Sequence, residues 1–205
     1  MLKYVFYAVL GLIIVVLAAT GIHLTRVHFK NKKDLSRYEG AEVSVQKDFG
    51  KVLVVYYSLS GRTRDIAERI QAKTNADIYE IKTKEPLPSG MSLHLGVKKQ
   101  LKSEEYPEID GNLPDFENYD FIFVGSPVWW YTAATPVLAF LKQADFKGKQ
   151  VIPFSTQGSN AGTFMQDFKT KAKNAVVLEG RGFNNISKKY DDAVDNKISQ
   201  WLNGL

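Results

Sequence analysis

The chain has 205 residues, enough for one sizeable domain plus an appendage, and its 44% hydrophobic and 24% charged residues are a globular composition. It has no cysteine, which excludes disulfides, thiol chemistry and cysteine-based metal sites, and His23, His28 and His94 are too scattered to form a ligand cluster. The net charge of +5 does not argue for nucleic acid, because the excess is local: residues 1–40 hold six Lys/Arg against two acids, while residues 41–205 hold 21 against 20.

Tyr4–Ile22 carries no charge and is almost wholly apolar. At about 1.5 Å per residue it is long enough to cross a hydrocarbon core of ~30 Å, so residues 1–24 are expected to be a single-pass transmembrane anchor. A cleavable signal peptide ending near Val16-Leu17-Ala18 is the alternative, but the apolar run exceeds the ~7–15 residues usual for such a segment. Arg26, Lys30, Lys32, Lys33 and Arg37 follow the span. The positive-inside rule then puts the domain in the cytoplasm, although a lone Lys3 before the span also suits an exported signal anchor. Residues 25–49 read as a polar, basic linker, able to rest on anionic headgroups, and residues 50–205 as the domain.

Within the domain, the near-continuous apolar run in Lys51–Tyr57 suits a strand buried on both faces. Thr63–Lys73 follows as a helix with Ile66, Ala67 and Ile70 on one side. Asp77–Ile81 alternates like an outer strand. Thr83–Gly111 is a long connection with a short helix expected near Val97–Ser103. Phe121–Val124 is the third strand, Pro136–Gln143 a helix and Gln150–Phe154 the fourth strand. Thr163–Lys173 is a helix, Ala175–Leu178 the fifth strand and Ser187–Leu202 the last helix, with Tyr190, Val194, Ile198, Trp201 and Leu202 in one apolar stripe. Strands alternating with helices make an α/β protein with a doubly wound parallel sheet, and ligands of such sheets bind beyond the carboxyl ends of the strands.

Three loops converge at that edge. After the first strand, Ser58, Ser60, Gly61 and Thr63 stand directly before a helix, where unpaired N–H groups and the helix dipole favour an anion. Ser60 or Thr63 acting only as a helix cap is the competing reading. The loop is neither a Walker A motif nor Gly-x-Gly-x-x-Gly, so a monophosphate fits it best. After the third strand, Trp129, Trp130 and Tyr131 are consecutive. Three such neighbours cannot all enter the core, so at least one ring faces the ligand edge as a stacking platform, unless they form a lid of core aromatics. After the fourth strand, residues 155–162 form a small polar loop offering backbone groups. Together the three loops describe a site for a planar ring bearing a phosphate.

With these residues in view, the chain resembles the flavodoxins, specifically bacterial flavodoxin-like proteins with Pro-x-Trp-Trp after the third strand. The resemblance covers about residues 50–204. It rests on Ser58-Leu59-Ser60-Gly61-Arg62-Thr63, on Gly125-Ser126-Pro127-Val128-Trp129-Trp130, and on Gly148-Lys149 leading into Val151–Thr156 with a Gly/Ser loop beyond. It implies a five-stranded sheet in the order 2-1-3-4-5 and noncovalent FMN. Ser58, Leu59, Ser60, Gly61, Arg62 and Thr63 would hold the phosphate. Pro127, Val128, Trp129, Trp130 and Tyr131 would contact the ring, and Gln157, Gly158 and Ser159 the pyrimidine edge or ribityl side. Two departures stand out: Ser60 or Arg62 occupies a position usually Thr or Asn, and Tyr131 stands where a Gly often follows Trp-Trp.

The implied function is a membrane-tethered electron carrier that works with a redox partner protein or a small electron donor or acceptor, and not with nucleic acid. No residue is assigned as a catalytic acid or base. An FMN-dependent NAD(P)H:quinone or azo-type oxidoreductase, and a flavodoxin-like binding module that has lost FMN, are the alternatives. A phosphorylated receiver domain would need an Asp where Gly125-Ser126 stands.

Overall fold

A computed structural model describes residues 2–184 and 190–205. It opens with α1 (Leu2–Leu35). No residue of its apolar window is buried against the rest of the protein, so this is not the core helix of a soluble domain. Its length and hydropathy suffice to cross a membrane. The helix runs on through residues 23–35, past the expected end of the anchor, because that stretch contains neither Gly nor Pro to stop it. Lys32 and Lys33 in the last turn complement the helix dipole.

The segment read as a linker lies along the domain. Leu35 and Phe49 are buried. The side chain of Asn196 accepts the Val43 N–H (2.8 Å) and donates to the carbonyls of Tyr38 and Ala41. Asn203 accepts the Gln46 N–H (2.7 Å) and donates to the Ser44 carbonyl. Lys197, only 5% exposed, meets Asp34 at 2.6 Å. These polar groups of the last helix satisfy backbone that a mobile linker would leave to water.

The sheet is built from β1 (Val52–Tyr56), β2 (Asp77–Glu80), β3 (Phe121–Trp129), β5 (Gln150–Gln157) and β6 (Val176–Val177), in the spatial order β2-β1-β3-β5-β6, all parallel. This is the expected doubly wound architecture. Two short strands add to it: β4 (Thr132–Ala133), antiparallel to β3, and β7 (Arg181–Asn184), which pairs with the second half of β5. The fifth position of the sheet is thus shared by β6 and β7, where the sequence suggested one strand.

Helices cover both faces. α2 (Arg62–Thr74) and α6 (Asp191–Asn203) pack on one face with Val54, Phe123, Ile152 and Leu35. α4 (Thr135–Gln143) and α5 (Phe164–Lys171) pack on the other with Val55, Val124 and Val151. Val194, Ile198, Trp201 and Leu202 form the expected buried stripe of α6; Ser187–Lys189, the expected start of that helix, lie outside the described residues. The long connection forms α3 (Gly90–Ser103), longer than expected. Leu93, Val97 and Leu101 at i, i+4 and i+8 give it one apolar side. Its neck is closed by the Thr83–Ile109 bridge and by N–H bonds from Lys84 to Glu108 and from Asp110 to Lys82.

Candidate functional site

The first loop runs from the buried end of β1 into α2. Gly61 is the N-terminal cap of α2, at φ 85°, and no side chain caps the helix. Thr63, 1% exposed, turns its hydroxyl to Thr156 Oγ1 across the sheet edge (2.8 Å), and Ser60 is not a cap either. The first-turn N–H groups of α2 are therefore left for a ligand or water. Ser58 Oγ is buried without a hydrogen-bond partner among the described residues, an arrangement that costs about 1–3 kcal/mol unless something accepts its proton. Ser60 and Arg62 line a cavity of about 130 Å³, together with Pro127, Thr156 and Phe183. Ser58, Leu59, Gly61 and Thr63 build the loop without lining that cavity.

The aromatic segment is a β-hairpin rather than an open loop. Residues 126 and 127 stay paired with β5, and Val128 and Trp129 fold back on Ala133 and Thr132. Buried Ser126 Oγ accepts the Ala134 N–H (2.9 Å) and donates to the Pro127 carbonyl. Trp130 and Tyr131 are the two turn residues, both with positive φ, 48° and 70°. Such a turn is ordinarily Asn-Gly, and bulky residues there cost of order 1–3 kcal/mol each. Strain of this kind clusters at functional sites. The Tyr131 carbonyl is fixed by the Thr163 N–H (2.8 Å). A Cβ on Gly162 would lie 2.3 Å from that carbonyl, so the third loop approaches the hairpin as closely as only glycine allows.

Trp129 packs edge-on against Tyr57 (5.7 Å). Burial, and next the negative charge of Glu80, push the Tyr57 phenol up to about 12, so it stands beside the site as a neutral ring. Trp130 and Tyr131 stay exposed, and Lys98 of α3 lies over the Trp130 ring (5.4 Å). A second cavity of about 400 Å³ opens between the hairpin, the third loop and α3, within the size range of small-molecule sites. Trp129–Tyr131 and Gln157–Ser159, six of the residues singled out in the sequence, line it. Leu93, His94, Val97 and Asn160 line it as well, and no local signal marked α3 as a wall of the site. The two cavities share Val128, Gln157 and Gly158. The Gln157 side chain is held by Ser155, whose hydroxyl donates to Oε1 (2.9 Å). Opposite it on β7, the Asn184 side-chain oxygen is buried without a hydrogen-bond partner among the described residues. Thr156 and Phe183 were also missed; β7 carries too short an apolar pattern to be read as a strand.

A doubly wound parallel sheet carries, at its carboxyl edge, a helix start without a side-chain cap and an aromatic slot, the edge at which open α/β sheets bind their ligands. A flavodoxin family model matches residues 51–204, and the chain belongs to the flavodoxin family. Among solved structures it is similar to a flavoprotein of Lactobacillus acidophilus in complex with FMN, at 28% identity over 64% of this chain and 92% of that one, with a TM-score of 0.60. The apo form of the flavoprotein from the same organism matches at 30% identity over 68% and 96%, with a TM-score of 0.53. A structure from Bacteroides eggerthii assigned as a flavoprotein matches at 27% over 75% and 96%, with a TM-score of 0.64. No curated protein matches.

Proposed function

We propose that the chain binds FMN noncovalently and serves as a membrane-tethered electron carrier. The observation that carries this reading is the continuity of the two cavities: an uncapped helix start beside Arg62 leads, past the shared Val128, Gln157 and Gly158, into an aromatic slot. A single ligand with an anionic end and a flat end fits that path. The residues present suit FMN. Ser58 Oγ would give its unused proton to the phosphate, joined by Ser60, the first-turn amides of α2 and the charge of Arg62. Trp129 and Trp130 would flank the ring and keep water from it, and Gln157–Ser159 would offer backbone groups to its edge.

When bound, FMN supplies the one- and two-electron chemistry. The chain's part is to hold, orient and shield it. The exposed apolar α1 supports anchoring in a membrane, with the domain on the side where Arg26, Lys30, Lys32, Lys33 and Arg37 follow the span, the cytoplasmic side under the positive-inside rule.

The test is the visible spectrum of the purified full chain. Bands near ~450 and ~375 nm, with FMN released on denaturation, are expected, as is weaker FMN binding in Ser60→Ala with Thr63→Ala. A folded, colourless chain that takes up no added FMN would sink the proposal. Bleaching of the oxidised bands by NAD(P)H alone would instead favour the oxidoreductase.

A further inference from the structure

We propose that the outward face of α3, continuous with the hairpin tip, is the docking surface for an acidic redox protein; this rests on the FMN reading above and adds the chemistry of the partner. Met91, Leu95, Lys98 and Lys102 recur at i, i+4, i+7 and i+11 and so form one stripe. Its direction is set by the opposite side of the helix, where Val97 is buried and Leu101 packs on the core. Met91 is 72% and Leu95 64% exposed. Lys98, over the Trp130 ring, joins the stripe to Trp130 (47% exposed) and Tyr131 (62%). Large apolar side chains clustered in the open mark interaction sites.

The segments that frame the site carry charge of one sign. Residues 58–63, 90–103, 125–135 and 155–163, which frame the site, contain Arg62, Lys98, Lys99 and Lys102 and no Asp or Glu. Acids stand just outside these segments and are engaged: Glu104, past the end of α3, is paired with Lys171 (3.6 Å), and the Asp167 carboxylate accepts the Thr163 hydroxyl (2.6 Å). An apolar centre with a lysine rim complements a surface of opposite charge. A lipid surface would also suit lysines and aromatics, but the attachment of α1 argues against it. Asp34, Leu35 and Tyr38 dock on α6, on the face of the sheet opposite α3. Residues 23–35 of α1 also extend the helix by about 20 Å beyond the apolar run.

The test uses the full chain in nanodiscs of zwitterionic lipid, with and without FMN, and two soluble haem probes, acidic cytochrome b5 and basic cytochrome c. Carbodiimide cross-linking reads docking. Stopped-flow reads the transfer of one electron from reduced FMN to one ferric haem, which becomes ferrous. Expected are cross-links from Lys98 and Lys102 to cytochrome b5 that fade with salt, and a transfer rate to cytochrome b5 that falls about tenfold from low to high salt. Lys98→Glu with Lys102→Glu should lower both to the high-salt level, with the melting temperature unchanged. Met91→Ser with Leu95→Ser should weaken docking and leave the salt slope intact. A preference for cytochrome c at low salt, or charge-reversed protein that behaves as wild type, would overturn the proposal. So would loss of binding to phosphatidylglycerol vesicles with docking of cytochrome b5 retained, since the stripe would then be a lipid contact. Absence of flavin bands would fell the FMN reading instead, and cross-linking of the FMN-free chain would still decide the docking surface.

Discussion

Replacing Asp34 by Ala tests whether the segment between the apolar helix and the domain is part of the folded unit. Lys197 is 5% exposed; its ammonium lies 2.6 Å from Asp34, and among the described residues the ring faces of Tyr38 (5.6 Å) and Phe183 (5.4 Å) also lie near it. Asp34→Ala would remove the one carboxylate paired with this buried cation among the described residues. Removing one partner of a buried pair costs about 3–5 kcal/mol. The Asp34 side chain is one-third exposed, so water reaches this pair, and a cost of about 2–3 kcal/mol is expected. For a chain of this size that lowers the melting temperature by roughly 5–10 °C. Thermal melts of the full chain in detergent, followed by tryptophan fluorescence, give the number; Trp201, against Phe183, is a nearby reporter. Adding Lys197→Met should recover most of the loss, because the unpaired charge goes with it. A single variant melting within about 1 °C of wild type, or a double variant less stable than the single one, would show that the segment is only a tether.

Ser58→Ala should leave the FMN-free protein as stable as before or slightly more so, since it removes a buried hydroxyl without a partner, yet weaken FMN binding about tenfold or more; fluorescence titration with FMN checks the second half and a melt the first. Tyr131→Gly should stabilise the chain by about 0.5–1 kcal/mol, relief of the left-handed backbone at φ 70° exceeding the added freedom of the unfolded state, as read by urea denaturation. Tyr57 bears on alkaline stability. Its folded value of about 12 stands above the ordinary 10, so its contribution is complete below pH 10 and is lost as the pH rises through 12. Tyr57→Phe should flatten that part of the stability–pH curve, and an unchanged slope in denaturation between pH 9 and 12 would refute the assignment.

What could be read from the chain followed the range of the interactions. The run Val52–Tyr56, the hydroxyl-rich turn and the helix after it are local, and each residue type reports its own role. The hairpin was not legible, because Gly125-Ser126-Pro127 looks like a strand end and Trp130-Tyr131 lacks the Asn-Gly signature of a tight turn. Only pairing with β5 and fold-back onto Ala133 hold it. β7 offers one large apolar side chain, Phe183, in four residues. The docking of residues 34–46 depends on Asn196, Lys197 and Asn203, polar residues of α6 whose partners lie more than 150 positions away. α3 likewise shows its apolar side in the sequence, but not that this side closes an aromatic slot.

If α1 spans a bilayer as proposed, its unbroken course would make the domain's height and heading above that bilayer a matter of helical pitch. Each residue adds about 1.5 Å and turns the chain by about 100°, and Asp34 and Leu35 at its end are gripped by the domain. Two residues inserted near Thr25 would raise the domain by only about 3 Å but swing it roughly 200° about the helix axis, so that the aromatic slot faces the other way. Seven inserted residues would lift it by about 10 Å and return it nearly to its original bearing. A partner confined to the same membrane would sense the first change as a turned back and the second as a longer reach.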